Sequence, residues 1–404
     1  MIAFIKKILI VFSGNISTSV GSFLLASIVI KKYDTTTYGN FIIFQTFFLI
    51  GLNALRPITW QAYIRFSESN KNQYTIPSLI IDLIFSIIVA FIIYALIGYF
   101  CEIGYSIHLV FILILSLFFI QNGTIIGILR KKNEFGFISC CYIISMLAKL
   151  VGIFMLSHSN AEAIFMYTLY VDLACWSVLT LYVLKKNNSN LLETIIITKL
   201  EIIDYFKFSC WGTVHAIIDL PVTQLDKFIV ATFLGPNSVA IYNIIKRLGS
   251  IMEQISEPIN QILYPRFTEI IKNNDINDVF VIAKKIILLV FCLSIFILIF
   301  YYLSINWFDV KFFNEQLFNY RWVIFIFLVG QSIVLMLSWL NPFSVALGLM
   351  KENMITLIIT NTIHCIVIFS LTKYIGFVGA VFSVFIQYAI FYFFKILFIK
   401  RKLS

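Results

Sequence analysis

Apolar runs of about 18 or more residues follow one another along nearly the whole chain, separated by short polar intervals. At 1.5 Å per residue, each is long enough to cross about 30 Å of hydrocarbon as a helix. About twelve are recognisable, near residues 8–30, 40–62, 77–100, 107–129, 136–156, 162–184, 207–234, 239–263, 282–304, 322–346, 353–372 and 376–398. The pattern predicts an all-α polytopic membrane protein. No interval has room for a soluble domain. The longest, near 185–206, 264–281 and 305–321, could each carry a short interfacial helix. The first run follows MIAFIKK, is too long for a removable leader and has no small-x-small cleavage site after it, so it reads as an uncleaved span.

The polar intervals also predict orientation. If both termini face the cytoplasm, the inner connections and ends hold about 19 Lys and Arg, among them Lys6, Lys7, Arg130, Lys131, Lys132, Lys284, Lys285 and Arg401. The outer loops hold about five: Lys31, Lys32, Lys311, Arg321 and Lys373. That asymmetry requires an even number of spans and cytoplasmic N- and C-termini. It makes the chain a multi-pass membrane protein of defined orientation.

Composition agrees. The 404 residues are 60% hydrophobic and only 12% charged, where soluble domains carry roughly 25% charge. Much of the +10 net charge is accounted for by topology, so nucleic acid is not an expected partner. The seven cysteines are scattered without a C-x-x-C pair, and the four histidines lack ligand spacing, so no metal site is expected.

Sliding the sequence by 201 residues aligns two halves. TTYGNF (Thr36–Phe41) falls on NSVAIY (Asn237–Tyr242), Arg56-Pro57 on Glu257-Pro258, and Tyr63 on Tyr264. The expected organisation is two six-helix lobes, 1–200 and 201–404. An even number of spans per lobe makes them parallel repeats, with a site expected between them. Prolines at matching depth predict matching kinks.

Charges inside the spans carry the candidate chemistry, because each costs roughly 2.5–3.5 kcal/mol at the bilayer centre unless it meets a partner or water. In QLDKFIVATFLGPNSVAIYNIIKRLG (Gln224–Gly249), Asp226 and Lys246 lie about equally far from the Gly-Pro turn. A helical hairpin would bring them level, so Asp226 can pair with Lys246 or with Arg247. Neighbouring residues point about 100° apart, so one member of each charged doublet is left to face elsewhere. Lys246, Ser250, Glu253, Glu257 and Asn260 make one polar stripe; Asn53, Arg56 and Trp60 make another. Arg56, Lys227, Lys246 and Arg247 are the candidate cations of a polar cavity, and a cationic cavity suits an anion such as pyrophosphate or carboxylate. Asp219, Asp226, Glu253 and Glu257 are candidates for ion pairing or coupling. Gly123 and Gly127 form a GxxxG suited to tight internal packing.

The hairpin sequence resembles the seventh-to-eighth segment signature of polysaccharide-biosynthesis flippases: an Asp followed by a basic residue, a Leu-Gly turn, then a small-x-Tyr. Leu263-Tyr264-Pro265, Tyr38-Gly39-x-Phe41 and IGFVGAVFS (Ile375–Ser383) fit as well. The first loop, KKYDTTTYG, departs from the family by lacking Leu-Gly before its acidic turn. The family is the O-antigen (lipid-linked oligosaccharide) flippases, within the superfamily that includes MATE-type multidrug extruders. The resemblance implies a MATE-like two-lobe fold and movement of an undecaprenyl-pyrophosphate-linked sugar unit, O-antigen, capsular or teichoic, by alternating access. The family's cation-lined cavity maps onto Arg56, Lys227, Lys246 and Arg247. No cofactor is implied beyond a coupling proton or sodium ion. Membrane lipid, a polysaccharide polymerase and a chain-length regulator are the candidate partners. Two other readings stay open. A MATE-like cation-coupled drug exporter would call for an acidic cavity, and a membrane polysaccharide polymerase for a sizeable outer loop bearing acids or arginines.

Overall fold

The structure, a computed structural model, describes residues 2–66, 74–101, 107–120, 123–132, 134–156, 160–186, 199–273, 276–313 and 317–403. Every regular element among them is helical. In chain order these are α1 (Ile2–Lys32), α2 (Thr35–Ala54), α3 (Thr59–Phe66), α4 (Thr75–Cys101), α5 (Ile107–Phe119), α6 (Gly123–Lys131), α7 (Phe135–Met155), α8 (Ala161–Lys186) and α9 (Lys199–Leu220). A π-helical turn, Pro221–Leu225, leads into α10 (Asp226–Lys272), followed by α11 (Ile276–Phe313) and a 3₁₀ turn, Phe318–Tyr320. The chain ends with α12 (Arg321–Leu337), α13 (Leu340–Ala346), α14 (Met350–Ile375) and α15 (Phe377–Leu403). Each of the twelve apolar runs falls on a helix or a consecutive pair of helices. Ten segments among the described residues are long and apolar enough to cross a membrane. The longest of them, Glu201–Ser250, spans 50 residues and turns back on itself, as shown below. Helices α10 and α11 run on through the 264–281 interval, up to residues 274–275, in place of a separate interfacial helix.

Two compact units divide the chain: Met1–Val29 with Asn40–Leu220, and Ile30–Gly39 with Pro221–Ser404. The division thus falls after Leu220 where the sequence repeat puts it at 200/201, because α9 is held by unit 1.

In unit 1 two membrane-length segments are broken. Pro57 removes a donor and ends α2 at Ala54, with α3 resuming at Thr59. Further on, α5 ends at Phe119 and α6 begins at Gly123, with residues 121–122 outside those described. A helix broken in hydrocarbon exposes peptide groups that lipid cannot satisfy, so neighbours must. Around Pro57 the neighbour is α9. The Ile58 amide donates to the Ser209 carbonyl (3.1 Å), Thr213 Oγ1 donates to the Arg56 carbonyl (2.9 Å), and the Tyr205 hydroxyl donates to the Thr59 carbonyl (3.2 Å).

A single carboxylate, Asp82 of α4, serves both resuming helices. It is fully buried and accepts from Thr59 Oγ1 (2.9 Å) at the start of α3, and from the Thr124 amide (3.2 Å) and Thr124 Oγ1 (2.8 Å) at the start of α6. A negative charge there complements the positive ends of two helix dipoles. Arg56, also buried, pairs with Asp82 at 3.3 Å and donates to the Leu117 carbonyl in the last turn of α5, where a cation is favoured. Gly123 and Gly127 let α6 lie directly on α3: a Cβ at Gly123 would fall 1.9 Å from Thr59 Oγ1, and one at Gly127 3.1 Å from the Tyr63 side chain. The GxxxG is therefore an internal packing device. Asn53, Arg56 and Trp60 do not form the continuous face that an unbroken helix would give them.

In unit 2 the helical pattern of α10 runs on through 258 and 265, so the break that follows α2 at Pro57 has no counterpart at Pro258. Its one interruption is Gly235, at φ 78 and ψ 176. That conformation is essentially confined to glycine. Past it the chain reverses: side chains 16 and 20 residues apart meet, Tyr242 and Lys246 both bonding Asp226. In a straight helix, residues 20 apart would be about 30 Å apart. The far end of unit 2 is closed by an apolar cluster of Phe267, Val279, Trp339, Phe343 and Ile399 from α10, α11, α13 and α15 and the turn before α13.

Gly235→Ala should cost about 1–3 kcal/mol by forcing a side chain into that backbone region, measured as a lower unfolding midpoint of the purified protein in detergent. Asp82→Asn should cost about 3–5 kcal/mol by leaving the Arg56 charge buried alone, and Arg56→Met added to it should recover much of the loss. An Asp82→Asn protein as stable as wild type would show that the broken helices do not rely on this carboxylate.

Candidate functional site

The hairpin of unit 2 carries the densest set of predicted residues. After α9 the chain widens into the underwound π turn Pro221–Leu225, which frees backbone carbonyls and sets the angle at which Asp226 leaves it. Of the two ion pairs the spacing allows, the structure forms Asp226–Lys246, at 2.5 Å. Asp226 is fully buried. Its Oδ2 accepts from Lys246 Nζ and from the Tyr242 hydroxyl (2.9 Å), and its Oδ1 accepts from the Lys227 amide (2.8 Å). Lys246 also donates to the Val222 carbonyl inside the π turn (2.5 Å), satisfying one of the groups that the turn releases. One lysine thus ties the second arm of the hairpin to both the carboxylate and the π turn.

The doublets then separate as their 100° offset requires. With Lys246 committed, Arg247 points elsewhere: its Nε is buried without a hydrogen-bond partner among the described residues. Lys227 donates to Gln224 Oε1 (3.1 Å), a neutral partner. Beside them Asn243 Nδ2 donates to the Tyr38 hydroxyl (2.9 Å), both residues being buried in unit 2.

The other predicted site residues lie apart from this cluster or outside what is described. Arg56 sits in unit 1, committed to Asp82 and Leu117. Asp219 is half-buried near the end of α9, one residue from the π turn. Glu253 and Glu257 lie on α10, with their side chains outside the described residues. Of the four candidate cations, Arg56 and Lys246 are thus paired with a local carboxylate, and Lys227 and Arg247 have none within ion-pair distance among the described residues.

The structure adds residues that sequence spacing did not single out. Helix α14 packs against the π turn and brings His364 within electrostatic reach of Asp226 and Lys246. His364 is buried, and neither ring nitrogen has a hydrogen-bond partner among the described residues. One turn earlier on α14, Asn361 Oδ1 accepts from Gln387 Nε2 of α15 (3.3 Å). Their signal was present as polar residues inside apolar spans, but they belong to segments far along the chain from the hairpin. A second internal ion pair, Lys149–Asp172 at 2.6 Å with Ser145 donating to the same carboxylate, joins α7 to α8 in unit 1.

Lys246→Met should lower stability by about 3–5 kcal/mol, because it strips a buried carboxylate of its counter-charge. Arg247→Ala, which breaks no ion pair with a described carboxylate, should change it by less than about 1 kcal/mol. Unfolding midpoints of the two purified variants decide the matter; equal losses would contradict this division of labour.

Known proteins resemble the chain at two levels. Several solved structures share its fold along nearly its full length. An inward-facing MATE-family multidrug resistance transporter of the MOP superfamily is 13% identical, with 98% of this chain and 95% of that one covered and a TM-score of 0.65. The lipid II flippase MurJ in an inward closed conformation is 15% identical, covering 97% and 87% with a TM-score of 0.66. A Pyrococcus furiosus MOP-superfamily transporter described by the reverse polarity of its binding pocket is 12% identical, covering 98% and 95% with a TM-score of 0.54. Among curated proteins none matches significantly. At the level of sequence, the profile of a family described as polysaccharide biosynthesis proteins matches residues 59–308, well over half of the chain. With its MATE-like, all-helical multi-pass fold, the chain belongs to that family of polysaccharide biosynthesis proteins.

Proposed function

We propose that the protein is a flippase that moves an undecaprenyl-pyrophosphate-linked oligosaccharide unit, of O-antigen or capsule type, across the bacterial cytoplasmic membrane by alternating access. The observation that carries this reading is the charge balance of the unit 2 hairpin. Asp226 pairs with Lys246, and Lys227 and Arg247 have no carboxylate within ion-pair distance among the described residues. Guanidinium and ammonium groups in a medium of low dielectric suit a pyrophosphate. An organic-cation exporter would need the opposite sign. Membership of a polysaccharide biosynthesis family supports a lipid-linked sugar as the cargo, and the likeness in fold to a lipid II flippase supports the reaction class.

In this mechanism the pyrophosphate is drawn to Lys227 and Arg247 while the polyprenyl chain stays in the bilayer, since moving it into water would cost about 0.8 kcal/mol per CH₂. Both termini lie on the cytoplasmic side, as the loop charges require. Asp219, Asp226, Glu253 and Glu257 are the carboxylates available to a coupling proton or sodium ion, with Asp226 the one already tied to the hairpin. A polymerase and a chain-length regulator would take up the product.

The test is complementation of a strain lacking the gene. Wild type should restore surface polysaccharide. The Lys227→Ala/Arg247→Ala double variant should reach the membrane at wild-type level, yet cut surface polymer at least about tenfold and hold lipid-linked precursor in the inner leaflet. Full-length polymer from the double variant would overturn the assigned role of these cations. Unchanged polysaccharide in the deletion strain would overturn the cargo itself and favour the drug-exporter reading.

A further inference from the structure

Where α11 and α12 approach the connection between them, six side chains enclose a cavity of about 240 Å³: Tyr301, Tyr302, Ile305, Arg321, Trp322 and Phe325. All belong to unit 2. Its walls are rigidly set. The Tyr301 and Phe325 rings stack at 6.4 Å, Trp322 meets Phe325 edge-on at 6.2 Å, and the Tyr301 hydroxyl donates to the Arg321 carbonyl (3.0 Å), pinning the first turn of α12 to α11. Tyr and Trp at a membrane boundary are ordinary anchors. An arginine within their enclosure is not required by anchoring. Arg321 lies over the Phe318 ring at 4.5 Å and has no carboxylate partner among the described residues. Among the described residues that line it, the cavity therefore presents one cation and no carboxylate; Asp309, whose charge acts on the Tyr301 hydroxyl, accepts from the Leu317 amide (3.0 Å) and lies outside the lining.

Two apolar tracks lead away from it. On α11, Ile295, Ile299 and Tyr302 are exposed at helical spacing; on α12, Trp322, Ile326 and Ile333 are too. A polar-headed cavity opening onto apolar tracks is the shape of an amphiphile. The volume is below the roughly 300–1,000 Å³ of sites for drug-sized ligands, which suits a headgroup and excludes an oligosaccharide unit. Lys284 and Lys285 lie roughly 24 Å away along α11, at the opposite membrane face. By the loop-charge count the cavity is then on the outer side, away from the cytoplasmic end at which cargo would load.

From this juxtaposition we infer that the cavity is a binding site for an anionic glycerophospholipid, with its headgroup phosphate on Arg321, its glycerol among the tyrosine and tryptophan rings, and its acyl chains along α11 and α12. An anionic lipid is selected over a zwitterionic one because the described lining residues offer a cation and no carboxylate to receive an ammonium group.

The test uses the purified full-length protein in nanodiscs, with native mass spectrometry to count retained lipid and phosphatidylglycerol and phosphatidylcholine as probes. Wild type should retain phosphatidylglycerol in preference to phosphatidylcholine, and Arg321→Gln should lower that retention about tenfold. Lys373→Gln removes another exposed cation seated by an aromatic ring, Tyr374, but lining no part of the cavity, and should retain lipid as wild type does. Should Arg321→Gln fail to fold, Trp322→Leu removes a wall without touching charge and should lower retention by a smaller factor. Undiminished phosphatidylglycerol on whichever of these two variants folds, or equal retention of phosphatidylcholine by wild type, overturns the site. Displacement of phosphatidylglycerol by an equimolar polyprenyl phosphate assigns the cavity to the carrier lipid and overturns the inference as stated.

Discussion

Everything in unit 1 depends on keeping peptide groups satisfied where lipid offers no hydrogen bonds. Two of its membrane-length segments are interrupted, which would ordinarily leave several amides and carbonyls bare. The Asp82 carboxylate resolves this at one point, receiving the starts of α3 and α6 together, while Arg56 answers it at the end of α5. Because α9 supplies the remaining donors and acceptors around Pro57, it is bound to unit 1 although a later helical run follows it directly in sequence. The location of the unit boundary follows from this accounting of backbone groups.

The two units use ion pairs in different ways. In unit 1 Arg56–Asp82 holds broken helices in register. In unit 2 Asp226–Lys246 closes a hairpin and, through Val222, secures a π turn. A buried pair is costly to dismantle, since either partner alone is an exposed liability in hydrocarbon. Charges committed in this way are poor candidates for gripping cargo. The cations that remain, Lys227 and Arg247, are their immediate sequence neighbours, turned aside by one residue's rotation.

Some of this was legible in the sequence for simple geometric reasons. Membrane spans declare themselves through length and apolarity, and the Asp226–Lys246 pair through equal distance from a Gly-Pro turn. Gly123 and Gly127 announced close packing, and α6 does lie on α3. What stayed hidden depends on partners distant along the chain. Nothing local to Arg56 reveals that its counter-ion sits 26 residues away on another helix. The interruption between α5 and α6 has no proline, and was read through as one run. Likewise His364, Asn361 and Gln387 are single polar residues on two later helices, and only the fold gathers His364 near the hairpin.

The underwound π turn at Pro221–Leu225 has a consequence for angular phase. A π turn holds one more residue than the α-helix it interrupts. Since each residue of an α-helix advances about 100°, that extra residue decides which way every later side chain on the arm points. Asp226 faces Lys246 and Tyr242 because of it. The electrostatics of the hairpin are therefore encoded in chain length as much as in residue identity: with one residue fewer in this turn, the same aspartate and lysine would remain in the sequence and no longer face each other.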